Sequence, residues 1–244
     1  MWFLASGEGP SDIGRCAQCD PCSGEDFVPG PMAWLADQVI EDLCEFSAVS
    51  EARMHALSKQ ALKKRAKTLK PPRLRGRKGP VETAYYFRNA RALAQYAKAL
   101  EAEQGQGVVA ILCRDADGTH SAGRGDRKAK VQSMLDGFAL EGFARGVPMV
   151  PRPKSEAWLL CALKQNAPYQ HCDGLEAESG NDASPQSLKE QLASTLGYPD
   201  SVPAADLADL VSDRRVDAAK LSNPSFLEFR ERLEQVIDLE AANS

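Results

Sequence analysis

The chain lacks any long apolar run. None of its 244 residues belongs to a stretch approaching the roughly 18 consecutive apolar positions of a membrane helix, which excludes a helical span and a membrane partner. It also lacks the low hydrophobicity and high net charge of a disordered chain. Hydrophobic residues make up 43%, charged residues 26%, and the formal net charge is only -4. That balance, taken whole, does not point to a nucleic-acid partner. The opening Met1–Ser6 is too short for a signal h-region and has no basic leader. Seven cysteines, an odd number, then read as free or metal-bound thiols in a reducing, cytoplasmic setting. No internal repeat is present. The length suits one large domain or two small ones.

What is present reads as alternating strands and helices. Met1–Ser6 is a short apolar run stopped by Gly7, as a buried strand would be. The Gly- and Pro-rich GEGPSDIG that follows is a loop, and 15–29 continues as irregular chain. Met32, Leu35, Val39, Leu43 and Phe46 recur at helical spacing behind Pro31. A brief strand is expected over 46–50 and a basic helix over 51–70, stopped by Pro71-Pro72. A long helix is expected over 81–104. The continuously apolar VVAILC (108–113) reads as a central parallel strand. A helix over about 128–144, a strand over 147–150 and a helix over 155–163 complete an α/β core with a mostly parallel sheet flanked by helices. That core is placed at 1–163. A polar loop over 165–185 and helices over 185–196 and about 221–239 form a helical C-terminal extension at 164–244.

Ligands of open α/β sheets sit beyond the carboxyl ends of the strands. Glu8 and Asp12 follow the first strand, Asp115 and Asp117 follow VVAILC, and Glu156 follows the VPMV strand beside Lys154. Asp115 and Asp117 form D-x-D, whose two side chains can flank one hard cation such as Mg²⁺. Clustered carboxylates without a cation repel each other; two cations can clamp the attacking and leaving oxygens of phosphoryl transfer. Singly, each acid equally suits a turn or a helix start.

Glu8-Gly9-Pro10-Ser11-Asp12 resembles the E-G-x-x-D start of a TOPRIM-type domain, and Asp115-Ala116-Asp117 resembles its D-x-D. Pro153-Lys154-Ser155-Glu156-Ala157-Trp158-Leu159 resembles a segment of small bacterial RloB-like proteins and a sister group often found near restriction and phage-defence genes. Pro224-Ser225-Phe226, with Phe229 and Leu233, resembles their C-terminal helix. The resemblance implies a TOPRIM-like (Rossmann-like) fold. It implies Mg²⁺ or Mn²⁺ held by Asp115 and Asp117, with Glu8 as a further ligand or as general acid/base, and with Asp12 and Glu156 serving a second cation as in the OLD-type arrangement. Lys154 or Lys128 would offset charge on the phosphate. The implied activity is a nuclease of a bacterial defence or DNA-processing system, with a protein partner from the same system. The alternative is a non-catalytic nucleic-acid- or partner-binding module. Two segments depart from the small relatives: the cysteine-rich insert and the basic stretch.

Cys16, Cys19 and Cys22 form C-x2-C-x2-C, a spacing that suits Zn²⁺ or an Fe–S cluster. A fourth ligand would come from elsewhere, with Cys44, Cys172, His171 and His55 as candidates; the other reading is three free thiols, and a third role is a metal or redox sensor. Cys113 and Cys161 sit in apolar runs and read as small buried hydrophobes. From Lys59 to Lys78, within a basic segment 59–80, there are ten Lys or Arg and no acid, leaving a formal -14 on the rest of the chain. Lys63, Lys64, Arg65, Lys67, Arg73, Arg75, Arg77 and Lys78 are the expected contacts to DNA or RNA backbone; a solvated helix face is the plainer alternative. Arg88 and Arg91 extend the series, Tyr85, Tyr86 and Phe87 are candidates for base stacking, and His120 is a further loop residue near the D-x-D.

Overall fold

The computed structural model describes residues 1–70, 83–116, 126–163 and 172–241. The chain opens with β1 (Trp2–Ser6), then an antiparallel ribbon of β2 (Gly14–Cys16) and β3 (Phe27–Pro29), then α1 (Pro31–Cys44) and β4 (Met54–Ala56). α2 (Lys59–Thr68) and α3 (Thr83–Gln104) lead to β5 (Val108–Cys113), followed by α4 (Arg127–Leu140), β6 (Gly146–Met149) and α5 (Ser155–Leu163). The C-terminal region carries, among the described residues, four helices: α6 (Cys172–Leu175), α7 (Leu188–Leu196), α8 (Ala204–Ser212) and α9 (Pro224–Ala241). A 3₁₀ turn at Ala218–Lys220 precedes α9.

β1, β4, β5 and β6 form one parallel sheet in the order β4-β1-β5-β6. This is the expected α/β arrangement with flanking helices and a helical C-terminal region. β5 is interior and all six of its residues are buried, which is why it is apolar on both faces. β6 is an edge strand, so Pro148 costs no interior ladder bond.

Alternation along the strands sorts two hydrophobic layers. Phe3, Ala5, Val109 and Ile111 pack with α1, α5 and α9. Leu4, Val108, Ala110 and Leu112 pack with α2, α3 and α4. Trp158 anchors the first layer. Its indole N–H donates to Ser225 Oγ at 2.8 Å, and its ring lies 5.2 Å from Phe226 and 6.0 Å from Phe229. Ser225 Oγ donates in turn to buried Glu176 Oε1 at 2.6 Å. Trp158 of α5 therefore fastens α9 to the core.

Several local expectations are corrected. Residues 46–50 are not a strand; the second strand of the sheet is Met54–Ala56, whose register with Phe3–Ala5 takes those residues out of the expected helix. The basic helix thus starts at Lys59. Its Ser58 hydroxyl accepts the Ala61 N–H at 3.1 Å, and Asp20 binds the Ser58 N–H at 2.9 Å. The stretch 15–29 is not wholly irregular but carries the β2–β3 ribbon. The loop expected over 165–185 contains the short α6, and α8 lies where no helix is expected.

The cysteines depart most. Cys16 is disulfide-bonded to Cys22, and Cys161 to Cys172. Cys161 is buried as expected, but as half of a bridge rather than a free thiol. Of the C-x2-C-x2-C trio only Cys19 keeps its thiol. The tertiary reason is the edge of β4: Cys22 forms a β-bridge with Ala56, and Cys16 Sγ lies 3.6 Å from the Ala56 carbonyl, which brings the two sulfurs together. A three-thiolate zinc site is incompatible with this pairing. Cys172 is equally spent as a fourth ligand. Cys113 is a buried free thiol, and burial, with Asp12 and Asp115 nearby, pushes it well above its ordinary value. No helix among the described residues is long and apolar enough to cross a membrane.

Candidate functional site

The strand order creates a crevice. β1 leads through α1 to β4 on one side, whereas β5 leads through α4 to β6 on the other. The chain direction therefore diverges between β1 and β5, and the carboxyl ends of those two strands are where open α/β sheets bind ligands. Glu8 and Asp12 follow β1; Arg114 and Asp115 follow β5.

Asp12 is held from several directions. Its N–H donates to the Gly9 carbonyl at 3.2 Å, and its carbonyl accepts the Met32 N–H at 2.9 Å. Gly30 at the α1 N-cap has no capping side chain, so the Asp12 carbonyl satisfies one of the orphan donors of the first turn. The loop can lie this close because Gly14 has φ of +107°, and a Cβ there would meet the Val28 carbonyl oxygen at 2.1 Å. Gly7 makes a similar allowance, since its Cβ would lie 2.7 Å from Ile13 Cγ1.

Asp115 ties β5 to α5. Its Oδ1 accepts the Ser155 N–H at 3.0 Å, capping that helix, and its backbone carbonyl accepts the Tyr86 hydroxyl at 3.2 Å. Glu156 stands in the first turn of α5, and its Oε2 is buried without a hydrogen-bond partner.

These residues share one cavity of about 380 Å³. Glu8, Asp12, Asp115 and Glu156 line it, together with Lys59, Lys154 and Lys189. Its outer wall comes from α7 and α8 and the loop between them, through Leu192, Val202 and Leu207. Burial first, then the charges of Glu8 and Glu156, push the Asp12 carboxyl up from 3.8 to about 6, while a hydrogen bond from the Glu8 backbone and the charge of Arg114 pull the other way. Lys154 lines the cavity and is ion-paired with Asp182 at 2.7 Å. Lys128 is exposed on α4 and is not part of the lining, which separates the two lysines that the sequence left as alternatives.

Among the described residues no group of three or more His, Cys, Asp or Glu side chains stands close enough together to hold a metal ion. The four carboxylates share a cavity without being gathered to ligand distance. Their chemistry still suits a hard cation: hard oxygen donors, one of them buried and unpartnered at Glu156. Asp117, His120, Arg73, Arg75, Arg77, Lys78 and His171 lie outside the described residues.

α2 presents Lys59, Lys63, Lys64, Arg65 and Lys67 to solvent, while Leu62 and Ala66 pack inward. Lys59, Lys63 and Lys67 recur at i, i+4 and make one stripe. It starts at the cavity, because Lys59 lines it. Phe87 and Arg91 pair as ring and cation at 5.9 Å, and Arg91 also binds Glu141 at 2.6 Å.

Three residues of the site escaped the sequence reading. In the sequence Lys59 is one member of the basic stretch, with nothing to tie it to the sheet edge. Lys189 sits on a C-terminal helix with no signal linking it to the sheet edge. Arg114 had one signal, a charged residue immediately after a fully apolar strand. It is completely buried, its Nη1 donates to the Cys113 carbonyl at 2.6 Å, and its Nε and Nη2 have no hydrogen-bond partner. No known protein family, curated protein or solved structure matches this chain.

Proposed function

We propose that this chain is a divalent-cation-dependent enzyme that cleaves phosphodiester bonds in nucleic acid, on a TOPRIM-like domain. The observation that carries the reading is the convergence of Glu8, Asp12, Asp115 and Glu156, from three separate strand ends, on one cavity at the sheet's divergence point. The basic stripe of α2 starts at the same cavity and favours a polyanionic substrate. Glu8, Asp115 and Asp117 would hold a Mg²⁺ or Mn²⁺ ion, with Asp12 and Glu156 serving a second. Bound there, such a cation supplies Lewis acidity to the phosphate and lowers the pKa of an attacking water.

The chain's own contribution is positioning and charge. Asp115 is aimed by its cap on α5. Glu8 would either hold the cation or accept the proton of the water that attacks phosphorus, while the leaving oxygen departs as its P–O bond breaks. Lys154 offsets charge developing on the phosphate, once drawn from Asp182. α7 and α8 wall one side of the four-carboxylate cavity. A role in a defence or DNA-processing system, with a protein partner from that system, rests on the resemblance alone.

The test is cleavage of plasmid, single-stranded DNA and RNA with Mg²⁺ or Mn²⁺. Glu8→Gln and Asp115→Asn/Asp117→Asn should each lower the rate at least ~100-fold. Equal rates for wild type and variants would end the assignment. A non-catalytic binding module is favoured by one observation, the use of Asp115 Oδ1 as a helix cap. It predicts salt-sensitive binding that survives both variants.

A further inference from the structure

Of the three aromatic residues at the start of α3, the structure singles out one. Tyr86 is 6% exposed, its hydroxyl is spent on the Asp115 carbonyl, and Lys130 lies 5.4 Å from its ring. Phe87 is half-buried and paired with Arg91. Tyr85 is 39% exposed.

Its ring is nevertheless held. It meets Tyr86 edge-on at 5.6 Å, with an interplanar angle of 86°. The Arg114 guanidinium lies 6.0 Å from its centroid. Arg114 is fully buried and also reaches the Ser6 carbonyl at 3.4 Å, so it does not move with solvent. Its Nε and Nη2 donors are unpartnered. The ring thus rests on a fixed cation at the carboxyl ends of β1 and β5, the two strands that carry the acidic cavity.

The sheet explains the placement. Alternate residues after β5 face opposite layers, so Arg114 turns toward α3 while Asp115 turns toward α5. A strand of nucleic acid crossing this edge would meet Tyr85 on one side and the acids on the other. The exposed lysines of α2, which packs against α3, flank the first side.

We propose that Tyr85 is a nucleobase-stacking platform and that the substrate is therefore single-stranded, with an unpaired base next to the reacting phosphate. This rests on the nucleic-acid reading above and narrows it. Stacking needs a base whose face is free, which a duplex does not offer. A ring already held in place loses little freedom on binding. The buried guanidinium beneath it orients the ring without competing for the base.

The experiment uses the full chain in chelating buffer, so that nothing is cleaved. Binding is read by fluorescence anisotropy for three labelled probes: a twelve-residue oligothymidylate, the same length of abasic sugar-phosphate chain, and a twelve-base-pair duplex. Wild type is expected to bind oligothymidylate about tenfold more tightly than either other probe. Tyr85→Ala should bring oligothymidylate down to the abasic level. Tyr85→Phe should restore the preference, which a merely structural hydroxyl could not do. Lys63→Ala/Lys67→Ala should instead weaken all three probes alike. A wild type that binds the abasic chain as well as oligothymidylate, or a Tyr85→Ala variant that keeps the preference, overturns the platform while leaving the nuclease reading standing. Failure of wild type to bind any probe also overturns the platform, and the cleavage assay with Mg²⁺ or Mn²⁺ then decides the nuclease reading separately.

Discussion

Asp12→Asn should stabilise the metal-free protein at neutral pH, against the usual direction of a substitution beside a functional site. Asp12 has its carboxyl raised from 3.8 to about 6, first by burial and then by the facing charges of Glu8 and Glu156. Arg114 opposes that rise, and Asp115, Lys59, Lys154 and Lys189 line the same cavity. With the folded value above the unfolded one, the folded chain binds the proton more tightly. Stability is then highest below pH 3.8 and falls as pH rises through about 6. At ~1.4 kcal/mol per pH unit, an ionised Asp12 costs the fold about 3 kcal/mol at pH 7.5. Asparagine removes the charge while keeping an oxygen for the Glu8 backbone. In a chain of this size a gain of that order raises Tm by roughly 6–12 °C. The assay is urea and thermal unfolding in a chelator at pH 7.5 and pH 4. The gain should be present at the first and nearly absent at the second. Millimolar Mn²⁺ should then stabilise wild type more than the variant. A variant no more stable than wild type at pH 7.5, or equally stabilised at both pH values, would refute the reasoning.

Other outcomes follow from the packing and the cysteines. Unreduced, unfolded protein should titrate three thiols, Cys19, Cys44 and Cys113; in the native state Cys19 should react fastest and Cys113 not at all, and seven thiols without reductant would remove both bridges. Gly14→Ala should cost more than ~1 kcal/mol by chemical denaturation, because φ is positive and the new methyl would strike the Val28 carbonyl. Phe229→Ala should cost about 3–5 kcal/mol and loosen α9, read as a blue-to-red shift of Trp158 fluorescence. Ser58→Ala should cost about 1 kcal/mol by removing the cap of α2, seen as a lower urea midpoint.

Much of the core was legible because local pattern and tertiary role coincide there. An apolar, β-branched run such as 108–113 has few homes other than an interior parallel strand, and it is one. Pro31 opens a helix whose apolar residues recur at 3.6, and α1 follows. Legibility failed where an element exists through its neighbour. Met54–Ala56 is a strand because β1 lies beside it, and three residues carry too little periodicity to announce that. The ribbon at 14–29 depends on Gly14 and a disulfide in the same way.

The site divides along the same line. The sequence by itself determined which residue types stand where: acids after β1, β5 and β6, and ten Lys or Arg without an acid from Lys59 to Lys78. That follows from chain order, since residues next to a strand end stay at that sheet edge however the helices pack. Only the tertiary structure decided which charges meet. The strand order opened the crevice between β1 and β5, α7 brought Lys189 to it, and the pleat sent Arg114 toward Tyr85 while Asp115 capped α5. It also turned three expected zinc ligands into one bridge and one thiol, because sulfur pairing is settled by distance across the fold and not by spacing along the chain.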